Sequence, residues 1–180
     1  MPLGVEAFRF LRELARGATN SALPLPSQQE AAEIWRGLAF TIGANRLISA
    51  LGEVVEVIAV PTLTTVPGAA PWVSGVANLR GRLLPVVELC GYLGLERTTP
   101  AGDWRVLVIE DGDLFCGLMV EQSFGMLQFE VDDYDGSAGE PLGNRLDTFL
   151  RGSFRQGPRS WRVVDMRALV RDPAFFEVAA

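Results

Sequence analysis

Trp72-Val73-Ser74-Gly75-Val76-Ala77-Asn78-Leu79-Arg80-Gly81-Arg82-Leu83-Leu84-Pro85-Val86-Val87-Glu88-Leu89 is the stretch that decides the fold. An apolar approach reaches a polar turn at Asn78-Leu79-Arg80-Gly81, and an apolar strand leaves it. Gly81 lets the turn adopt a positive φ. Arg80 carries a planar, always-charged fork that can meet a carboxylate or backbone carbonyls. On chemistry alone Arg80 suits a local structural pair as well as a partner contact. Pro85 has no N–H to give a ladder, so an edge or bulge position is expected for it.

Strand signals extend in both directions. Phe40-Thr41-Ile42 and Leu47 to Leu51 flank Gly43-Ala44-Asn45, a hairpin signal with Gly and Asn expected at positive φ. Glu53 to Ile58 continues as β-branched alternation, and Pro61 and Pro67 punctuate a loop. Cys90 to Leu95 fits a short helix or a tight loop. Trp104 to Ile109 and Leu114 to Val120 then surround an Asp-Gly turn, and Phe124 to Phe129 forms a further strand. Asp132 to Leu146 is rich in Asp, Gly and Glu and reads as a long exposed loop. Phe149 to Phe154 and Trp161 to Val164 complete the strands. Asp165 is placed to cap a short helix through Leu169, ended by Pro173.

The pattern starts twice. Gly75, Val86, Val87, Glu88 and Leu89 match Gly152, Val163, Val164, Asp165 and Met166, while Gly52 and Glu56 are paired at a shorter offset with Gly117 and Glu121. A repeat of this length suits a five-stranded barrel and is too long for a solenoid unit. The reading is two similar small β-barrels that share a core, because each alone would be marginal. The groove between them is the natural place for a ligand.

The first part of the chain differs. Phe10, Leu11 and Leu14 give a short helical pattern over Phe8 to Arg16. Ser27-Gln28-Gln29-Glu30 reads as a capping box, with Gly37 at the helix C′ position. An N-terminal helical arm over 1–38 is therefore expected, either loosely attached or used to dock a partner.

Composition removes many functions. The chain has 180 residues, no histidine, and only arginines among its 16 basic residues. Without histidine the commonest general base and metal ligand are missing. Without lysine there is no P-loop lysine, Schiff base or lysine nucleophile. Cys90 and Cys116 lie in apolar surroundings and read as core thiols, and two separated cysteines without histidine do not make a structural zinc site. A net charge of −6 argues against nucleic acid or an anionic membrane as partner. Asp132, Asp133 and Asp135 cluster, but lack the later glutamate of an EF-hand. No apolar run approaches the roughly 18 residues that span a bilayer, and no signal-peptide pattern is seen. A cytoplasmic protein without direct membrane insertion, without metal, cofactor or catalytic residue, is expected.

The Gly75 to Leu89 stretch resembles the signature of the CheW family, a Gly-Val-x-Asn-Leu-Arg-Gly turn followed by a Pro-Val-x-Asp-Leu strand. Val54-Val55-Glu56-Val57-Ile58 with Val66-Pro67, Gly117-Leu118-Met119-Val120-Glu121 and Trp161-Arg162-Val163-Val164-Asp165 follow the family's order, so the resemblance covers roughly Ala39 to Leu169. Glu88 departs from it, standing where aspartate is usual.

The resemblance implies an all-β fold of two intertwined SH3-like five-stranded barrels. The domain would span 39–175, with barrels at about 39–100 and 104–172 and exchange of strands between them. It also implies a non-catalytic adaptor bound to the regulatory domain of a CheA-type histidine kinase and to a chemoreceptor's cytoplasmic tip, hence associated with membrane-bound receptor arrays. Carried over, Glu56, Asn78, Leu79, Arg80 and Gly81 are receptor-binding positions, and Val55 and Val57 would face the kinase. Strand alternation does not say whether these valines are core. The long arm, the acidic loop and the absence of lysine point to the PilI-like branch, which serves type IV pilus (twitching) systems. A small-ligand sensor or a carboxylate-based barrel enzyme is the alternative.

Overall fold

The computed structural model describes residues 33–177. The helical pattern at Phe8–Arg16 and the capping box at Ser27–Glu30 lie outside them. Eleven strands are described: β1 (Ile34–Ile42), β2 (Asn45–Ala50), β3 (Glu56–Ala59), β4 (Val73–Leu79), β5 (Arg82–Glu88), β6 (Arg105–Asp111), β7 (Leu114–Val120), β8 (Gln122–Glu130), β9 (Tyr134–Asp135), β10 (Leu150–Gln156) and β11 (Arg159–Val164). Two one-turn helices accompany them, α1 (Leu89–Leu93) and α2 (Met166–Val170).

The strands form two sheets, ordered β8-β1-β2-β11-β10-β9 and β3-β6-β7-β5-β4. These do not follow the halves of the chain. The β1–β2 hairpin joins the C-terminal β10 and β11, with β2 parallel to β11. β3 leaves that hairpin to pair with β6. In return β8 leaves β7 to pair with β1. The contiguous limits 39–100 and 104–172 therefore do not delimit the sheets: one sheet joins β1 and β2 from the first half to β8–β11 from the second, and the other joins β3–β5 from the first half to β6 and β7 from the second.

The repeat is visible in this geometry, at a corrected offset. Ile42 and Asn45 flank the first hairpin turn, and Asp111 and Leu114 flank its counterpart 69 residues on. Gly43 and Gly112 occupy equivalent turn positions with φ of 55° and 63°. Ile48, not Gly52, therefore corresponds to Gly117, since each sits opposite the equivalent valine, Val163 or Val86, in a parallel ladder. Gly75 and Gly152 both stand opposite those valines at a bulge, with φ of 137° and 153°. A Cβ on Gly75 would come within 2.5 Å of the Thr64 carbonyl oxygen. One on Gly152 would come within 2.6 Å of the Asp135 carbonyl oxygen. Glu88 and Asp165 each cap the helix that follows, accepting from Gly91 N–H and Ala168 N–H.

Alternation along the strands produces a three-part core. On β6, Val106 and Val108 face the interior of their own sheet with Leu84, Val86 and Trp104. Leu107 and Ile109 point the other way, into a larger core that also takes Phe40, Ile42 and Leu47 from the opposite sheet and Leu89, Leu93, Met166 and Leu169 from the helices. Ala39 and Ile48 return to the first sheet's own interior with Phe129, Phe154 and Trp161. Strands buried on both faces read as continuous apolar runs, which is why Val106 to Ile109 lacks a polar residue.

Several local expectations are revised. Gly37 does not end a helix; it lies inside β1, opposite Ala50 and Leu127. A side chain there would collide with the Ser49 carbonyl oxygen and the Trp35 ring. The strand thus begins within the arm drawn over 1–38. Of the first hairpin's residues only Gly43 has positive φ; Asn45 is extended in β2 and donates its side-chain amide to the Ile42 carbonyl at 3.3 Å. Pro85 is in an interior strand, but the β7 ladder starts only at Val86, so no bond is lost. The 132–146 loop is not wholly exposed: Leu146 is fully buried, and Tyr134–Asp135 pairs with β10. Pro173 does not stop α2, which ends at Val170; it opens a separate 3-10 turn capped by Asp172.

Candidate functional site

The Asn78–Gly81 stretch closes the β4–β5 hairpin. Leu79 pairs with Arg82, leaving Arg80 and Gly81 as the two central turn residues. Their φ values are 52° and 82°, as a type I′ turn requires. Asn78 Oδ1 accepts from Gly81 N–H at 2.7 Å and locks the turn. Arg80 is the one non-glycine residue with positive φ among the described residues. An L-residue there costs about 1 kcal/mol or more. Strain of this kind draws attention to the side chain it presents.

That side chain meets Glu56. Arg80 Nη2 donates to Glu56 Oε1 at 2.7 Å, with the arginine side chain 75% exposed and the glutamate 31%. The sequence placed these residues 24 positions apart, and the sheet brings them together. The five proposed receptor positions do not all present side chains. Glu56 and Arg80 do, Asn78 and Gly81 shape the turn, and Leu79 packs partly buried against the core of its own sheet. Beside them Arg82 Nη1 donates to Glu110 Oε1 at 2.9 Å while its guanidinium lies 3.8 Å above the Phe115 ring.

Val55 and Val57 point outward, at 58% and 37% exposure. They belong to a groove of about 220 Å³ at the seam of the two sheets. Leu38 and Leu51 line it from the first hairpin, Val54 to Val57 from the β3 segment, and Met126 from β8. Glu56 is part of this lining, so the ion pair stands at the groove's border. Leu51 and Met126, at 66% and 48% exposure, escaped the sequence reading. Their signal was an apolar side chain at a turn and at a lone-edge strand, which gains meaning only once β8 has crossed to β1. Exposed apolar side chains gathered in a groove beside charge mark a binding surface, for a protein, a membrane or a small ligand.

Chemistry elsewhere is filled. Cys90 and Cys116 are free and buried, and burial first of all pushes their thiols up to about 11 and about 12. Glu88 and Glu121 are buried carboxylates whose acceptor positions are taken, Glu88 by Gly91 N–H and Arg97, Glu121 by Thr98 and Thr99. Among the described residues no group of three or more Cys, Asp or Glu side chains is arranged to hold a metal ion, and no helix is long and apolar enough to cross a membrane.

The model of the CheW-like domain matches residues 36–174. The chain is 40% identical over 172 residues to Protein PilI of Pseudomonas aeruginosa, covering 96% of each. It is 27% identical to Chemotaxis protein CheW of Bacillus subtilis over 59% of this chain and 68% of that one. The crystal structure of scaffolding protein TtCheW from Thermoanaerobacter tengcongensis superposes with a TM-score of 0.67 at 17% identity, over 78% of this chain and 95% of that one.

Proposed function

The chain belongs to the CheW-like family, and from that premise we propose that it is an adaptor without a reaction of its own, coupling a chemoreceptor tip to the regulatory domain of a CheA-type histidine kinase. The observation that carries this reading is the Arg80–Glu56 pair. A strained, solvent-exposed arginine is held by one carboxylate at the edge of an apolar groove. Such a pair contributes little to stability in water, which leaves recognition as its use. Arg80 and Glu56 are assigned to the receptor, with Asn78, Leu79 and Gly81 supporting the turn. Val55 and Val57 are assigned to the kinase.

The full-length similarity to PilI favours a system controlling type IV pilus twitching over a flagellar one. Binding both partners raises the effective concentration of each for the other. Receptor state reaches the kinase only to the extent that the adaptor's contacts differ between receptor states. Deleting the protein should abolish twitching and spare swimming; the reverse phenotype contradicts the pathway assignment.

A further inference from the structure

Glu121 is the single residue between β7, which ends at Val120 in one sheet, and β8, which begins at Gln122 in the other. It is 1% exposed. A carboxylate at a crossing point could face solvent at little cost, whereas here it is buried and fully engaged. Its oxygens accept from Thr98 N–H, from the Thr98 hydroxyl at 2.7 Å and from Thr99 N–H at 3.1 Å. Its own N–H donates to the Thr41 carbonyl on β1 at 3.1 Å.

The donors come from the connector that runs from α1 to β6. That connector is fixed at several other points. Arg97 pairs with buried Glu88, its guanidinium lies 5.4 Å from the Trp104 ring, and Trp104 Nε1 donates to the Thr99 carbonyl at 3.2 Å. On its other side the connector touches the first sheet. The Thr98 hydroxyl is 3.2 Å from the Gly43 carbonyl, and Gly43 leaves no room for a Cβ, which would stand 2.6 Å from the Glu96 carbonyl oxygen.

We propose that Glu121 and the Thr98–Thr99 connector form a clasp that fixes the angle between the two sheets. Glu121 is a positioning residue in this arrangement. It occupies a crossing between sheets, and its carboxylate ties that crossing to a segment wedged against the β1–β2 turn. The consequence is specific: the groove between Leu38, Leu51, Val54 and Met126 is assembled from both sheets, so its width follows the clasp. The inference does not depend on what the groove binds.

Spin labels on the full chain test it. One pair spans the sheets, at Asp113→Cys and Arg155→Cys; a control pair lies within one sheet, at Asp113→Cys and Ala59→Cys. Glu121→Ala should broaden the inter-sheet distance distribution at least twofold and leave the control pair unchanged. Thr98→Val, which removes one donor, should broaden it less, and Glu121→Gln, which keeps one acceptor oxygen, should partly restore it. Amide exchange at Thr99 should accelerate about tenfold or more, the factor for a lost hydrogen bond to a charged group. An unchanged inter-sheet distribution in Glu121→Ala, or in Thr98→Val should the alanine variant not fold, overturns the proposal. So does exchange that accelerates uniformly over both sheets.

Discussion

Replacing Arg80 by alanine separates recognition from stability. The side chain is 75% exposed, and its pair with Glu56 is in contact with solvent. A pair of that kind is worth about 0–1 kcal/mol. The positive φ stays, so the strain is the same with alanine. For a domain of this size 1 kcal/mol moves the melting temperature by about 2–4 °C. Arg80→Ala should therefore melt within about 4 °C of the parent. Arg80→Gly relieves the left-handed strain and should be more stable than Arg80→Ala by about 1 kcal/mol. Both variants should bind a receptor-tip fragment at least tenfold more weakly in calorimetric titration, which corresponds to about 1.4 kcal/mol. Their affinity for the kinase regulatory domain should be unchanged. A fall in melting temperature beyond about 8 °C, or unaltered receptor binding, refutes the assignment of Arg80 to recognition.

The bulge glycines should behave unlike the turn glycines. Gly152→Ala places a Cβ against Tyr134 and the Asp135 carbonyl at a φ of 153°, and chemical denaturation should show a loss of about 2–4 kcal/mol; Gly81→Ala meets no atom within 4 Å and should lose only about 1 kcal/mol. Glu88 and Asp165 each cap a helix and pair with an arginine, Arg97 or Arg151, but the Glu88 side chain is 5% exposed against 31% for Asp165, so Glu88→Ala, which also leaves a cavity, should cost more than Asp165→Ala, whose loss is about 1 kcal/mol in the same assay. Because the folded thiols hold their protons more tightly than unfolded ones, stability should fall as pH rises above about 8.5, continuing towards the folded values of about 11 and about 12; a Cys90→Ala/Cys116→Ala variant should show a flatter profile. At the acid end, backbone N–H donors from Leu142 and Gly143 lower the Asp147 pKa, so its contribution is present above the ordinary carboxylate range and is lost as pH falls through the lowered value; Asp147→Asn should flatten that limb.

Residue patterns carried the local structure further than the assembly. The Arg80-Gly81 and Gly112-Asp113 turns, the cap at Asp165 and the match of Gly75 with Gly152 were legible, because each rests on a local residue pattern; the cap at Glu88 emerged only with the structure. The strand at Ile34–Ile42 was cut short: Gly37 resembles a helix terminator, and only its approach to Ser49 and Trp35 explains it. The first repeat offset was misaligned because Gly52 and Gly117 are both glycines in apolar surroundings, yet one is in a turn and the other in a central strand. The crossing of β3 and β8 carries no local signal, so the contribution of Leu51 and Met126 to the groove could not be anticipated. Val55 and Val57 show the same limit: a two-residue period gives two faces but not which is covered.

Titrating the full chain with the regulatory domain of a CheA-type kinase from the same organism, by calorimetry, tests the adaptor account most directly. Saturable one-to-one binding is the predicted result, weakened by Val55→Asp or Val57→Asp and untouched by Arg80→Ala. Absence of heat at protein concentrations of tens of micromolar, with both proteins folded, would contradict it.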